Sequence, residues 1–161
     1  MSIRKKHWNR TDHPVYSISS TDGKENNMHI ISYVTAISMQ PKRYVVGVFE
    51  GTKTMELVKK NPLFVLQILS QKQAPLVRLL GQQSGKKVNK IERLKKRKLL
   101  TEWEGFPVLK EAAAVLLLRA TESFDGGDHR GFVCDVLAHK NLNDETILTL
   151  NYLRDKKIIR G

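Results

Sequence analysis

Two long β-like runs near the C-terminal end constrain the fold most. "AAAVLLLRATESF" (residues 112–124) and "GFVCDVLAHKN" (residues 131–141) flank "DGGDHR", a glycine-rich loop suited to a hairpin. An antiparallel pair of that length needs further strands to bury its apolar face. The first half of the chain supplies them. "VYSISS" (15–20) ends in the turn chemistry of "TDGKENN", and "NNMHIISYVTAIS" (26–38) follows as a second strand broken by "SMQPK". "YVVGVF" (44–49) and the largely apolar "LFVLQIL" (63–69) read as the third and fourth. "ILTLNYL" (147–153) reads as a last strand or tail.

The helical signals are short and lie mainly between these strands. A helix is expected from about Thr54 to Lys60, capped by Thr52 or Thr54 and stopped by Asn61-Pro62. "APLVRLLGQ" reads as another, with Pro75 near its start and Gly81 at its end. Val88, Ile91 and Leu94 keep helical spacing in the basic segment that follows. Six or seven strands, with two or three short helices before the long hairpin, describe a small β-barrel with helical insertions. The absence of a repeating βαβ pattern argues against a parallel doubly wound sheet.

At 161 residues, 40% of them hydrophobic, residues 1–161 are expected to form one domain. No apolar run reaches the roughly 20 residues of a membrane-spanning helix. The first fourteen residues are basic and lack the apolar block of a secretory signal. Cys134 is the only cysteine, which excludes an intrachain disulfide and a cysteine-rich metal site. His7, His13, His29, His129 and His139 show no metal-ligand spacing, so no metal is expected. Together these features point to the cytoplasm.

The formal charge of +12 is concentrated. Residues 86–98 hold eight basic side chains against Glu92 alone, which is +7 in thirteen residues. Such a run could bind nucleic acid, steer an anionic nucleotide, or form a solvated helix face with Val88, Ile91 and Leu94 turned inward. The solvated face is the favoured reading, and nucleic acid the remote one.

The clearest local chemistry is in "FEGTKTMEL". A strand ends, Gly51 allows a tight turn, and Thr52, Lys53 and Thr54 lead into a helix start, where N–H groups and the helix dipole favour an anion. The plainer reading has Thr54 as a cap and Lys53 in solvent. In the run 26–38, alternation puts Ser32, Val34, Ala36 and Ser38 on one face. Their small side chains leave room for a flat group or for a closely packed neighbour.

The order of these motifs resembles the flavin reductase-like family, with its FMN-binding split barrel. Asn27, Ser32, Ser38, Pro41, Lys53-Thr54 and the strand 64–69 fall where members carry an N-x-x-T-x-S strand, an S-x-x-P turn, a basic residue with Thr at a helix start, and an F-x-V-N-x-L strand. "GFPVL", "GDHRGFVCDV" and "LNYLR" match later family positions, so the resemblance runs from about Val15 to Arg154. It implies a mainly β split barrel of Greek-key type with a few short helical insertions. It also implies FMN as cofactor, with Ser32, Lys53 and Thr54 on the phosphate and Asn27 facing the flavin. Backbone around Met28, His29 and Ile30, and around Val48 and Phe49, would face the ring. Members usually form homodimers with the site near the subunit interface.

Three positions depart from the family pattern. Ile30 stands where a Thr is frequent, Gln67 where an Asn is common, and His29 where an apolar residue is usual. His129, in "GGDHRG", is either an exposed turn residue or, as the resemblance implies, a contact to the nicotinamide substrate, with Asp128 shaping the turn.

No general acid, base or nucleophile constellation is visible, and flavin chemistry needs none, because the cofactor carries it. The expected activity is therefore an FMN-dependent oxidoreductase using NADH or NADPH, which could pass reduced flavin to a monooxygenase or another electron acceptor. The alternative is an FMN-binding electron-transfer protein without nicotinamide activity.

Overall fold

The computed structural model of the chain describes residues 6–160. Residues 1–5, the start of the basic stretch without an apolar block, and residue 161 lie outside it. The described residues form nine strands: β1 (Tyr16–Thr21), β2 (Asn26–Ile31), β3 (Val34–Ser38), β4 (Arg43–Phe49), β5 (Leu63–Ile68), β6 (Leu100–Trp103), β7 (Phe106–Leu109), β8 (Ala114–Asp125) and β9 (His129–Asn141). They also form four α-helices: α1 (Lys53–Lys60), α2 (Val77–Gly81), α3 (Lys90–Lys96) and α4 (Leu150–Asp155). None of these helices is long and apolar enough to cross a membrane.

Seven strands make one antiparallel sheet in the order β2-β1-β5-β8-β9-β4-β3, and β6-β7 form a separate hairpin. The two edge strands, β2 and β3, are consecutive in the chain and joined only by Ser32 and Tyr33. In a flat sheet those edges would stand about 29 Å apart, at about 4.8 Å per strand spacing. A two-residue link spans only about 10 Å. The sheet therefore curls until its edges meet at Ser32–Tyr33, where the Gly47 N–H donates to the Tyr33 carbonyl at 2.7 Å. This is the expected split barrel, mainly β with a few short helices. Register shifts in the β8–β9 ladder, between Leu117 and Leu118 and between Ala120 and Glu122, bend the long hairpin.

One core fills the barrel and packs against α1, with Ile18, Phe64, Leu66 and Leu118 fully buried. Another lies under α2, α3 and α4, around Met28, Leu69, Leu80, Leu94 and Leu148. Each such side chain contributes about 1.5–3 kcal/mol relative to exposure. Helix α1 forms where expected. The side chain of Thr52, not Thr54, caps it by accepting from the Met55 N–H at 3.2 Å. Gly51, at φ +79°, makes the turn that precedes it.

Four local expectations change. The run 26–38 is not one strand, because the chain leaves one sheet edge and joins the other at Ser32–Tyr33, which ends the simple alternation of faces. The tail 147–153 makes only isolated bridges, Ser70 to Ile147 and Pro14 to Thr149, and then turns into α4. Thr149 caps that helix, and Leu150 and Leu153 turn its apolar side to the core. The expected helix at "APLVRLLGQ" divides into a 3-10 turn, Gln71–Leu76, which holds Pro75, and the single-turn α2. The hairpin β6-β7 had no reading as strand. It is held partly by Gln67, whose Oε1 accepts from the Leu109 N–H at 2.7 Å inside the core.

Candidate functional site

The split in the barrel opens into a cleft of about 250 Å³. The edge strand β2 supplies His29, Ile30 and Ile31, the link supplies Ser32 and Tyr33, and the end of β4 supplies Gly47, Val48 and Phe49. Thr52 and Thr54 come from the start of α1, and His129 from the first position of β9. The floor is apolar, the α1 end presents hydroxyls, and the mouth is aromatic. Tyr33 and Phe49 are 64% and 48% exposed, which is unusual for large apolar side chains beside a cavity. The His129 ring packs between them, with centroids 4.7 Å from Tyr33 and 5.1 Å from Phe49. Its Nδ1 lies 2.7 Å from Asp128 Oδ1, so the turn carboxylate fixes the ring's orientation. Gly47 lets β4 approach the link closely, since a Cβ there would sit 3.1 Å from Tyr33 Cβ.

His29 is largely buried in the cleft wall. Burial pushes its pKa down to about 4, and the charge of Lys90 and a smaller influence from His129 act in the same direction. It is neutral at pH 7.

Behind the cleft wall runs a second hollow of about 390 Å³, between β2, α1 and the segment leading into α3. Asn27 and Thr54 form the partition between the two. Asn27 is 3% exposed, and its Nδ2 donates to Thr54 Oγ1 at 3.1 Å. Gly85 packs directly on Asn27 from the groove side. Six lysines and two glutamates line the groove. Lys53 belongs to it, ion-paired with Glu25 at 2.5 Å and Glu56 at 3.7 Å, and Lys86 meets Glu56 at 3.0 Å.

Lys90 differs from the other lysines. It is 1% exposed, and its Nζ donates to the Leu80 carbonyl at 2.9 Å. Among the described residues no carboxylate pairs with it, and burial lowers its pKa to about 8. This corrects the expectation that the lysines of the basic segment face water. Ile91 and Leu94 do turn inward, with Val88 half-buried against the same core. Lys90 goes in with them, because positions four apart share a helix face and Lys90 lies below Leu94. That spacing was a signal in the sequence, masked by the surrounding charge.

The structure thus brings together in the cleft seven of the residues singled out from the sequence: His29, Ile30, Ser32, Val48, Phe49, Thr54 and His129. Asn27 stands behind Thr54, and Lys53 faces the basic groove rather than the cleft. The Met28 side chain is fully buried in the core. Gln67 lies in the β5–β7 contact, away from the cleft. Thr52, named with Lys53 and Thr54 at the helix start, also lines the cleft, whereas Tyr33, Gly47 and Ile31 were not singled out as site residues. A glycine inside a strand was the available signal for Gly47.

The family model of the flavin reductase like domain matches residues 8–157. The chain belongs to that family. An uncharacterized protein of Pyrococcus abyssi is 30% identical over 127 residues, covering 77% of this chain and 71% of its own length. Among solved structures, this flavin reductase-like chain shares its fold with a Thermus thermophilus FMN-binding protein crystallised with 1-cyclohex-2-enone. That match has a TM-score of 0.74 and 23% identity, covering 88% of this chain and 80% of the other. It shares it also with the Streptomyces globisporus NADH:FAD oxidoreductase SgcE6, at TM-score 0.78 and 17% identity, covering 88% and 83%.

Proposed function

We propose that the cleft at the barrel split binds FMN, and that the protein is a cytoplasmic NAD(P)H-dependent flavin oxidoreductase built as one domain over residues 1–161. One observation carries this reading. In a member of the flavin reductase-like family, the meeting point of the two sheet edges is a cleft with an apolar floor, hydroxyls at one end and stacked aromatic rings at its mouth. Cleft and groove together give the few hundred Å³ that a small-molecule cofactor needs. When bound, the flavin supplies the redox chemistry. The chain's residues bind and orient. Ile30, Ile31 and Val48 exclude water from the floor, backbone of β2 and β4 faces the ring, and Ser32 and Thr54 donate hydrogen bonds, while Thr52, whose hydroxyl donates to the Phe49 carbonyl, holds the start of α1 in place. His129, held by Asp128 at the mouth, meets the nicotinamide.

A second copy of the chain is the expected partner. Ile37, Met39, Phe124 and Leu137 are exposed on β3, the turn after it, β8 and β9. Replacing Ile37 with Asp is expected to shift the protein towards monomer in sedimentation velocity; an unchanged profile counts against this interface.

The activity is tested by mixing FMN-loaded protein with NADH or NADPH without oxygen. Loss of the visible flavin absorbance within a single mixing experiment is expected. A yellow protein that does not bleach with either nucleotide is an electron-transfer protein instead, and a protein that takes up no FMN refutes the cleft assignment. Bleaching followed by release of reduced flavin would place a monooxygenase or another acceptor downstream.

A further inference from the structure

Across the Ser32–Tyr33 link from the cleft lies a hollow of about 510 Å³ that the flavin reading leaves without an occupant. Ser32 and Tyr33 line both spaces. The remaining walls are Trp8 and His13, from the segment before β1, and Leu150 and Arg154, from α4. These walls are fastened to each other. Asp12 Oδ1 accepts from the Asn151 and His13 N–H groups, each at 2.9 Å, and the His13 carbonyl accepts from the Leu150 N–H at 2.9 Å.

Arg154 is under-used in this frame. Its Nη1 donates to Asn151 Oδ1 at 2.9 Å, but its Nε is buried with no partner. Arg154 takes part in none of the ion pairs among the described residues. A guanidinium carries five N–H donors in a rigid fork, and a buried donor left unpaired is unfavourable. Trp8, 70% exposed, and the equally open Tyr33 leave two large rings in water beside it. An arginine fork with aromatic walls fits a flat acid, whose carboxylate meets the fork while its ring packs on the walls. The Asp12 carboxylate lies near enough to feel the Arg154 charge, so the net positive field is small and favours a monoanion over a dianionic phosphate.

We propose that this hollow is the subsite of a second substrate, a planar monocarboxylate held with its carboxylate on Arg154 and its ring against Trp8 and Tyr33. The proposal rests on the flavin reading of the cleft, because Ser32 and Tyr33 are the wall that would bring such a substrate to the edge of the flavin.

FMN-loaded wild type, Arg154→Met and Trp8→Ala are titrated calorimetrically with benzoate, benzamide and phenyl phosphate. Wild type is expected to bind benzoate at least about tenfold more tightly than either of the other two probes. Arg154→Met should lose about tenfold or more in benzoate affinity, as for a charge-assisted hydrogen bond, and Trp8→Ala about fivefold, with FMN affinity unchanged in both. Trp8 is exposed, so its variant reads the site even where Arg154→Met fails to fold. Benzoate should also shift the visible absorbance of FMN bound to wild type. Equal benzoate affinity in wild type and Arg154→Met overturns the proposal, as does a wild type that binds no benzoate. Benzamide binding as tightly as benzoate gives the hollow to a neutral carboxamide such as nicotinamide, and tighter phenyl phosphate gives it to a phosphate; either result overturns it. Benzoate bound through Arg154 without a change in the flavin spectrum overturns the substrate role. Flavin-free protein is titrated in parallel: a wild type that takes up no FMN yet binds benzoate through Arg154 refutes the cleft reading and upholds the carboxylate site.

Discussion

Lowering the pH from 7 to 4 is expected to cost the folded protein about 3 kcal/mol through His29 alone. Its ring is held neutral in the cleft wall, with a folded pKa near 4 against 6.5 for the model side chain. The direction follows from which state takes up the proton first. Between pH 6.5 and 4 the unfolded chain binds a proton that the folded chain refuses, so stability falls as pH falls through that window. Below about 4 both states are protonated and this contribution is spent. The groups facing His29 are part of this effect, after burial itself, because Lys90 and His129 bring positive charge towards it and Asp128 answers only His129. Urea unfolding at pH 7, 5.5 and 4.5 measures the slope, and His29→Gln should flatten it. Carboxylates such as Asp22, whose folded pKa is near 2, act at lower pH and persist in the variant. Parallel curves for the two proteins would show that His29 does not carry the dependence.

The barrel was legible because its strands are long, apolar on one side and separated by strong turn chemistry. "DGGDHR" places the tip of the β8–β9 hairpin, and its Gly126, Gly127 and Asp128 occupy that turn, where the Gly127 N–H donates to Asp125 Oδ1. Periodicity failed where the chain changes partner rather than direction. Nothing in "HIISYVTAIS" marks Ser32–Tyr33 as the point where one sheet edge gives way to the other, because each half is a good strand. That junction is also what makes the cleft, so the cleft residues nearest it, Tyr33 and Gly47, escaped a strand-by-strand reading. Lys53 and Lys90 show the same limit for charge. Both lie beside acidic or apolar neighbours that sequence order separates, and only the packing of α1 and α3 against β2 shows which lysine is neutralised and which is buried alone.

Gly85→Ala is expected to lower stability by about 1–3 kcal/mol, more than an exposed loop position should allow. The added Cβ would sit 2.4 Å from Asn27 Oδ1, 3.0 Å from Asn27 Cγ and 3.1 Å from Lys53 Cβ. Asn27 has no room to yield. It is 3% exposed, fixed on β2 opposite Ser20 of β1, and bonded to Thr54. Either that hydrogen bond breaks, leaving buried polar groups unpaired, or the segment before α3 lifts away and opens the groove. The same substitution at Gly131 makes a useful contrast. There the Cβ would meet the Phe124 ring at 2.1 Å, but that ring is the end of a half-exposed side chain that can swing away, so a smaller loss is expected. A double-mutant cycle separates crowding from any backbone effect. With Asn27→Ala in place the nearest remaining atom is Lys53 Cβ, and most of the Gly85→Ala penalty should disappear. Equal penalties in the two backgrounds would mean that the segment before α3 does not seal Asn27. In that case the partition between cleft and groove would not depend on it.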